Sequence, residues 1–218
     1  MIAACRFPTC QAVFVADMSQ TQLVTVFIPI TLVLIAVIMV AALYNSLAVA
    51  RVRMKNAFSQ IDVQLRRRYD LVPTLVETTR GYMAHERATL QAVTQARQAA
   101  QQAMDGVSTR TLRGVHGLAS ATAVLDGALR GLLARVEAYP ELKANSTMQV
   151  LQEELITTEN RVAFARQAFN DAVMGLNERV VSFPGNVVAG IFGFEQGELW
   201  QTEAETRVVP SASLREPV

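Results

Sequence analysis

The chain has 218 residues, a formal net charge of +1, and a composition that is 51% hydrophobic but only 6% aromatic. Its near neutrality argues against the strongly basic field that nucleic-acid binding needs, so no nucleic-acid partner is expected. Outside one apolar run, the sequence is rich in Ala, Leu, Gln, Arg and Glu, which lose little side-chain freedom in helices. Composition therefore predicts an all-α protein with one domain and appendages.

A run without charged residues extends from Leu23 to Leu43. As a helix it would be about 31 Å long, which matches a bilayer hydrocarbon thickness of about 30 Å. A buried core helix would show a polar face, and a signal peptide would have a basic start and a small-residue cleavage site. The run fits neither class. It predicts one uncleaved transmembrane helix over residues 23–43, with the lipid bilayer as a partner.

Basic residues near the two ends of the run predict its orientation, because they are enriched in cytoplasmic segments. Arg51, Arg53 and Lys55 follow the run as a membrane-proximal basic group, whereas Arg6 alone precedes it. The N-terminus is therefore expected outside and the C-terminal domain in the cytoplasm. Residues 1–22 are predicted to be a short leader outside the cytoplasm. Alternatively, Met18 is the true initiator, and residues 19–22 are a short polar lead into the helix.

Residues 44–201 are predicted to form an antiparallel up-and-down bundle of long helices. Apolar positions recur at spacings of three, four and seven residues over 54–93, 112–136 and 148–180, which is the pattern of helices that pack on one another. Asp105-Gly106 and Phe183-Pro184-Gly185 are expected to end helices. Residues 202–218 lose this periodicity and are predicted to be a disordered tail.

The first reversal of the bundle has two possible positions. Asp70 could cap a new helix in which Pro73 occupies the first turn, where proline removes no needed donor. Alternatively, Pro73 could kink one long helix, which would leave three helices instead of four. Four helices of comparable length bury each other's apolar stripes more completely, so we prefer reversal at Asp70. The last helix would then run back toward the membrane.

The sequence contains no pattern that predicts catalysis, a cofactor or a metal site. His85 has no second ligand at helical spacing, and His116 stands apart from it. No glycine-rich phosphate loop and no serine or cysteine in a nucleophile context is present. We therefore expect a non-enzymatic protein without catalytic, cofactor-binding or metal-binding residues.

Two other groups of residues are candidates for a structural or surface role. Charged residues near the apolar stripes could set the register of the helices through polar contacts; these are Asp62, Arg66, Asp70, Glu159 and Arg161. An apolar, glycine-containing segment after the bundle could either cover the bundle end or enter the membrane surface. Its candidate membrane-surface residues are Val187, Val188, Ile191, Phe192 and Phe194.

Three blocks of sequence carry a resemblance to a known family. They are QIDVQLRRRYDLVPTLVETTRGYMAHE at 60–86, YPELKANSTMQVLQEELITTENRVAFARQAFND at 139–171, and FPGNVVAGIFGFE at 183–195. Together with Tyr44-Asn45 after the apolar run, they resemble the LemA family of bacterial membrane-anchored helical proteins. The resemblance implies one membrane helix in the bacterial inner membrane, a cytoplasmic helical bundle and no enzyme activity.

These observations favour a membrane-anchored scaffold or adaptor. Its bundle is expected to associate with other copies, as a homo-oligomer, or with protein partners at the cytoplasmic face. The alternative is a membrane-shaping or membrane-organising protein. It would act through Arg51, Arg53 and Lys55, which can meet anionic lipid, and through the apolar segment 187–194.

Overall fold

The computed structural model describes residues 9–83, 85–108 and 112–201. Within these residues the regular structure is entirely helical, which confirms the predicted all-α class. The elements are α1 (Thr9–Arg80), α2 (Arg87–Asp105), α3 (Val115–Val136), α4 (Pro140–Lys143), α5 (Ser146–Val181) and α6 (Gly185–Phe192). The leader residues 1–8 and the tail 202–218 lie outside the described residues, so the predictions made for them stay predictions.

The chain divides after Ser46 into an N-terminal and a C-terminal unit. In the described part of the N-terminal unit, one helix is long and apolar enough to cross a membrane. Its apolar side chains from Phe27 to Val40 are exposed, as expected of a helix that contacts lipid and not of a core helix. Inside this stretch the Thr31 hydroxyl donates to the carbonyl of Phe27 at 2.8 Å, so even its polar side chain is satisfied within the helix.

The C-terminal unit is a bundle of four long helical segments, formed by α1 from Leu47 onward and by α2, α3 and α5. Contacts to α1 define the direction of α5. Phe58 and Arg67 of α1 meet Phe169 and Glu154 of α5 in reverse order, so these two helices are antiparallel. The core between the helices is largely aliphatic, with Phe169 as an aromatic member. Its fully or almost fully buried aliphatic residues include Ile61, Leu65, Leu118, Leu125, Leu129 and Leu132.

The predicted reversal at Asp70 is wrong. Helix α1 continues through Asp70 and Pro73 to Arg80, and turn residues 81–83 and 85–86 lie between it and α2. A proline inside a helix leaves the carbonyl of the residue four positions earlier without its helical donor. Here that carbonyl belongs to Tyr69, and the Nε of Arg97 on α2 donates to it at 2.7 Å. The neighbouring helix thus replaces the missing bond, and Pro73 is accommodated inside α1.

The other predicted helix ends agree with the structure more closely. Helix α2 ends at Asp105, directly before Gly106. Helix α5 ends at Val181, two residues before Phe183-Pro184-Gly185. At its other end, the side chain of Asn145 accepts hydrogen bonds from the amides of Thr147 and Met148. Because α5 is antiparallel to α1, its end returns to the part of α1 that follows the apolar run.

The role of Arg97 can be tested by a double-mutant cycle. Arg97→Met is expected to lower the free energy of unfolding by about 1–2 kcal/mol, since it removes a charged donor from a carbonyl that has no helical donor. In a Pro73→Ala background the loss should be smaller, because an alanine at this position supplies the helical N–H. Denaturant unfolding of the detergent-solubilised chain measures both values. An equal loss in the two backgrounds would show that Arg97 does not compensate for Pro73.

Candidate functional site

A group of charged side chains lies inside the bundle, between α1, α3 and α5. The guanidinium of Arg68 contacts the carboxylate of Asp126 at 2.5 Å, and the other oxygen of that carboxylate lies 3.5 Å from Arg166. Glu159 approaches Arg68 at 3.6 Å from α5, and Arg130 approaches Glu159 at 4.0 Å. Positive and negative groups therefore alternate, and three helices each contribute at least one of them.

The centre of this network is buried. Arg68 is 3% exposed and Asp126 is 7% exposed. Charges in the protein interior lose their hydration, and this loss is tolerated only when each charge is paired and hydrogen-bonded. The more exposed Arg166, Glu159 and Arg130 connect the buried pair to the surface.

Tyr69 and Thr122 are buried beside the charged network. Burial raises the pKa of the Tyr69 phenol, and the nearby Asp126 carboxylate adds to this rise, while Thr122 and Arg68 act in the opposite direction. The phenol therefore stays neutral at physiological pH. Neutral Tyr69 therefore adds no third charge to the buried part of the network.

The predicted register-setting residues occupy different environments. Glu159 belongs to the network described above. Asp62 and Arg66 form a local i,i+4 ion pair at 2.7 Å on the surface of α1, where Arg66 is 61% exposed. Asp70 and Arg161 are exposed. Whether any of these residues sets the register stays a prediction.

Sequence reasoning missed Arg68, Asp126 and Arg166, although a periodic signal for two of them is present. Arg68 continues the buried positions 61, 65 and 72 of α1, and Asp126 lies next to the buried positions 122, 125 and 129 of α3. A charged residue on a buried helical stripe is a direct indication of an internal ion pair. The third member, Arg166, is partially exposed and gives no such signal.

A second arrangement begins after α6. The segment Phe194–Trp200, here called the strap, has no regular secondary structure and lies along α5. The side chain of Asn177 both donates to the Gly197 carbonyl at 3.1 Å and accepts from its amide at 2.8 Å. Asn170 makes the same pair of bonds with Trp200, at 3.1 and 2.7 Å. Two asparagines about two helical turns apart therefore bind the strap backbone.

Side chains fix the position of the strap further. Trp200 is buried, and the guanidinium of Arg166 lies 5.0 Å from its ring centroid, which joins the strap to the charged network. Gly197 passes so close to the bundle that an added Cβ would lie 2.8 Å from the sulfur of Met54 and 3.3 Å from Val173. The strap also contacts the turn before α3, through Glu195 on the Arg113 guanidinium and Glu198 on the Gly114 amide.

The end of the bundle near the strap carries the membrane-proximal basic residues. Arg51 donates to the Gly193 carbonyl at 3.2 Å, and its guanidinium lies 4.1 Å from the centroid of the Phe194 ring. Arg51 is therefore engaged within the domain, whereas Arg53 is exposed and Lys55 is partially exposed.

The predicted membrane-surface residues divide into two groups. Val188 and Phe194 are buried and face the domain, where they supply the apolar contacts that hold α6 and the start of the strap. Val187, Ile191 and Phe192 are exposed. The first group therefore covers the end of the bundle, and the second group lies on its solvent-exposed side.

The described residues contain no group of three His, Cys, Asp or Glu side chains that could hold a metal ion. His85 and His116 are both exposed. A groove between α1 and α2 has a volume of about 750 Å³ and is lined largely by polar side chains that include Gln91, Gln95 and Gln98. The described residues thus provide buried contacts that hold the helices and the strap in place, together with exposed surfaces.

Comparisons with known proteins agree with this architecture. The model of the LemA family matches residues 57–213. The magnetosome proteins MamQ 1 and MamQ 2 of Paramagnetospirillum magneticum are each 28% identical to the chain over 175 residues, which is 72% of the chain and 64% of each relative. Magnetosome protein MamQ of Magnetospirillum gryphiswaldense is 27% identical over 157 residues, covering 64% of the chain and 58% of the relative. The chain thus spans less than two thirds of the length of these relatives.

The buried ion pair predicts a contrast between neighbouring arginines. Arg68→Met should lower the free energy of unfolding by about 3 kcal/mol, because Asp126 then loses its closest partner while still buried. Arg66→Met should cost about 0.5 kcal/mol or less, since its pair is exposed. The double variant Arg68→Met, Asp126→Leu should be more stable than Arg68→Met alone. Chemical denaturation measures all three, and similar losses for Arg66→Met and Arg68→Met would refute the assignment.

The strap can be followed through Trp200, which is the only tryptophan of the chain. Gly197→Ala should displace the strap, because the added methyl group has no room beside Met54 and Val173. The expected result is a red shift of the tryptophan emission as the indole meets water. Gly190→Ala is the matched control, since nothing lies within 4 Å of its added Cβ. An unchanged emission in both variants would contradict a tightly bound strap.

Proposed function

This chain belongs to the LemA family, and on that premise we propose that it is a non-enzymatic, single-pass membrane scaffold that associates with other copies of itself. Family membership and the apolar N-terminal helix indicate a membrane-associated helical protein. The names of the relatives as magnetosome proteins support a structural role over a catalytic one.

The observation that carries the scaffold proposal is a set of large apolar side chains exposed along α5, here called the α5 stripe. Ile156 and Met174 are eighteen residues apart, which is about five helical turns, and Val181 follows about two turns later. All three are more than half exposed, and Phe164, on an adjoining side of the helix, is 74% exposed. Polar residues separate them along the helix, and such mixed surfaces are common where two proteins associate without being permanently joined. We assign the cover of this stripe to a second copy or an adaptor partner.

Basic residues support the proposed orientation. Arg51, Arg53 and Lys55 follow the apolar run, and the enrichment of such residues on the cytoplasmic side favours a cytoplasmic bundle at the inner membrane with the N-terminus outside. The scaffold would then present its α5 stripe to other proteins on that side of the membrane.

A second candidate function is membrane organisation by direct lipid contact. The specific observation that favours it is the exposure of Val187, Ile191 and Phe192 on α6, at the end of the bundle where Arg51 holds the chain. The two functions are compatible, because the α5 stripe and the exposed side of α6 involve different residues.

Cysteine crosslinking tests the self-association. Phe164→Cys, in a chain whose Cys5 and Cys10 are replaced by Ser, should give covalent dimers in native membranes treated with a short thiol crosslinker. Gln91→Cys on the exposed side of α2 is the control and should stay monomeric. Crosslinks to a different protein would favour the adaptor form of the proposal. If Phe164→Cys remains as monomeric as the control, the α5 stripe is not an interface.

A further inference from the structure

One end of the bundle exposes a group of large apolar side chains, here called the α6 patch. It consists of Phe183, Val187, Ile191 and Phe192. Val187 and Ile191 are four residues apart within α6 and so share one side, while Phe183 lies in the turn before the helix; Phe183 and Ile191 are 82% and 73% exposed. No charged residue occurs between Arg179 and Glu195. The patch is therefore apolar throughout and has no charged residue in its own segment.

The patch is held in a fixed position by the opposite side of α6. Val188 and Ala189 are buried against the bundle. The turn into α6 requires Gly185, because a Cβ there would overlap the Arg179 carbonyl. At the other end, Arg51 binds the Gly193 carbonyl and covers the Phe194 ring. Exposure of the patch is thus a built feature of the folded domain and not the result of a frayed end.

Chain connectivity limits what can cover the patch. Arg51, which holds the end of α6, follows Leu43 of the apolar run by eight residues. A helix of that length extends about 12 Å, and the polar headgroup layer of a bilayer is about 5–8 Å thick on each side. Eight residues along the chain thus separate Arg51 from the end of the run, which the proposed function places in a bilayer.

The chemistry of the surroundings also fits a lipid surface. Arg53 and Lys55 lie close to Arg51 in the sequence and can meet anionic headgroups, to which basic side chains near a bilayer are attracted. An apolar face with phenylalanines beside basic residues is the pattern of helices that lie in the interface between headgroups and acyl chains.

We propose that the α6 patch docks into the headgroup–acyl boundary of the same bilayer that the apolar run spans, so that the bundle is fixed to the membrane at two points. This inference rests on the membrane anchorage in the proposed function, but it does not depend on self-association through α5.

Site-directed spin labelling tests this contact in the full-length chain, reconstituted into vesicles that contain phosphatidylglycerol. Single cysteines replace Ile191, Phe164 or Val124 after Cys5 and Cys10 are changed to Ser. These three sites are all strongly exposed in the domain, so the label should not disturb the fold. Relaxation by oxygen reports contact with lipid, and relaxation by a water-soluble nickel chelate reports contact with water.

The label at Ile191→Cys should show an oxygen-to-nickel accessibility ratio severalfold higher than the label at Val124→Cys, which lies in the middle of α3. A ratio equal to that at Val124→Cys would overturn the proposal, because the patch would then face water. Low accessibility to both reagents at Ile191→Cys would overturn it too and would assign the patch to a protein contact. The label at Phe164→Cys tests self-association separately. High accessibility to the nickel chelate at this site would contradict self-association through α5 without affecting the conclusion about lipid contact.

Discussion

The buried pair of Arg68 and Asp126 is the constraint on which the rest of the domain depends. Aliphatic stripes tolerate small shifts of one helix along another, but a buried charge tolerates no loss of its partner. Only a narrow range of registers between α1 and α3 keeps both charges paired. Arg166 extends the same constraint to α5, and its position over the Trp200 ring extends it to the strap. The network thus connects α1, α3, α5 and the strap through a continuous series of contacts.

Much of the fold could be predicted from the sequence, because it depends on patterns that are local. The uncharged run, the periodic stripes and the break at Asp105-Gly106 each predict one element through residues that are close together in the chain. The predicted reversal at Asp70 was wrong because the outcome depends on Arg97, which is distant in sequence from Pro73. A proline in a helix leaves the carbonyl four residues earlier without its helical hydrogen bond. Here another helix supplies the donor for that carbonyl.

In the charged network, too, contacts within one helix could be predicted from the sequence, whereas contacts between helices could not. Asp62 and Arg66 have favourable helical spacing, yet they form an exposed pair within one helix. Arg68, in the same run of three arginines, is the one that the bundle buries. The position of Arg68 on the buried stripe could have identified it, whereas its partners come from other helices. Likewise, nothing in the sequence around Asn170 and Asn177 indicates that they bind the backbone of a strap twenty or more residues away.

Helix α6 combines two apolar sides that have different surroundings. Val188 and Ala189 are covered by the bundle, while Val187 and Ile191 remain exposed on the other side. In a freely diffusing protein, such exposure would favour aggregation, and charged residues commonly interrupt it. This segment has none. Under the proposal made above, the exposed side of α6 meets lipid, and the uncharged sequence of this segment then serves the same membrane as the apolar N-terminal run.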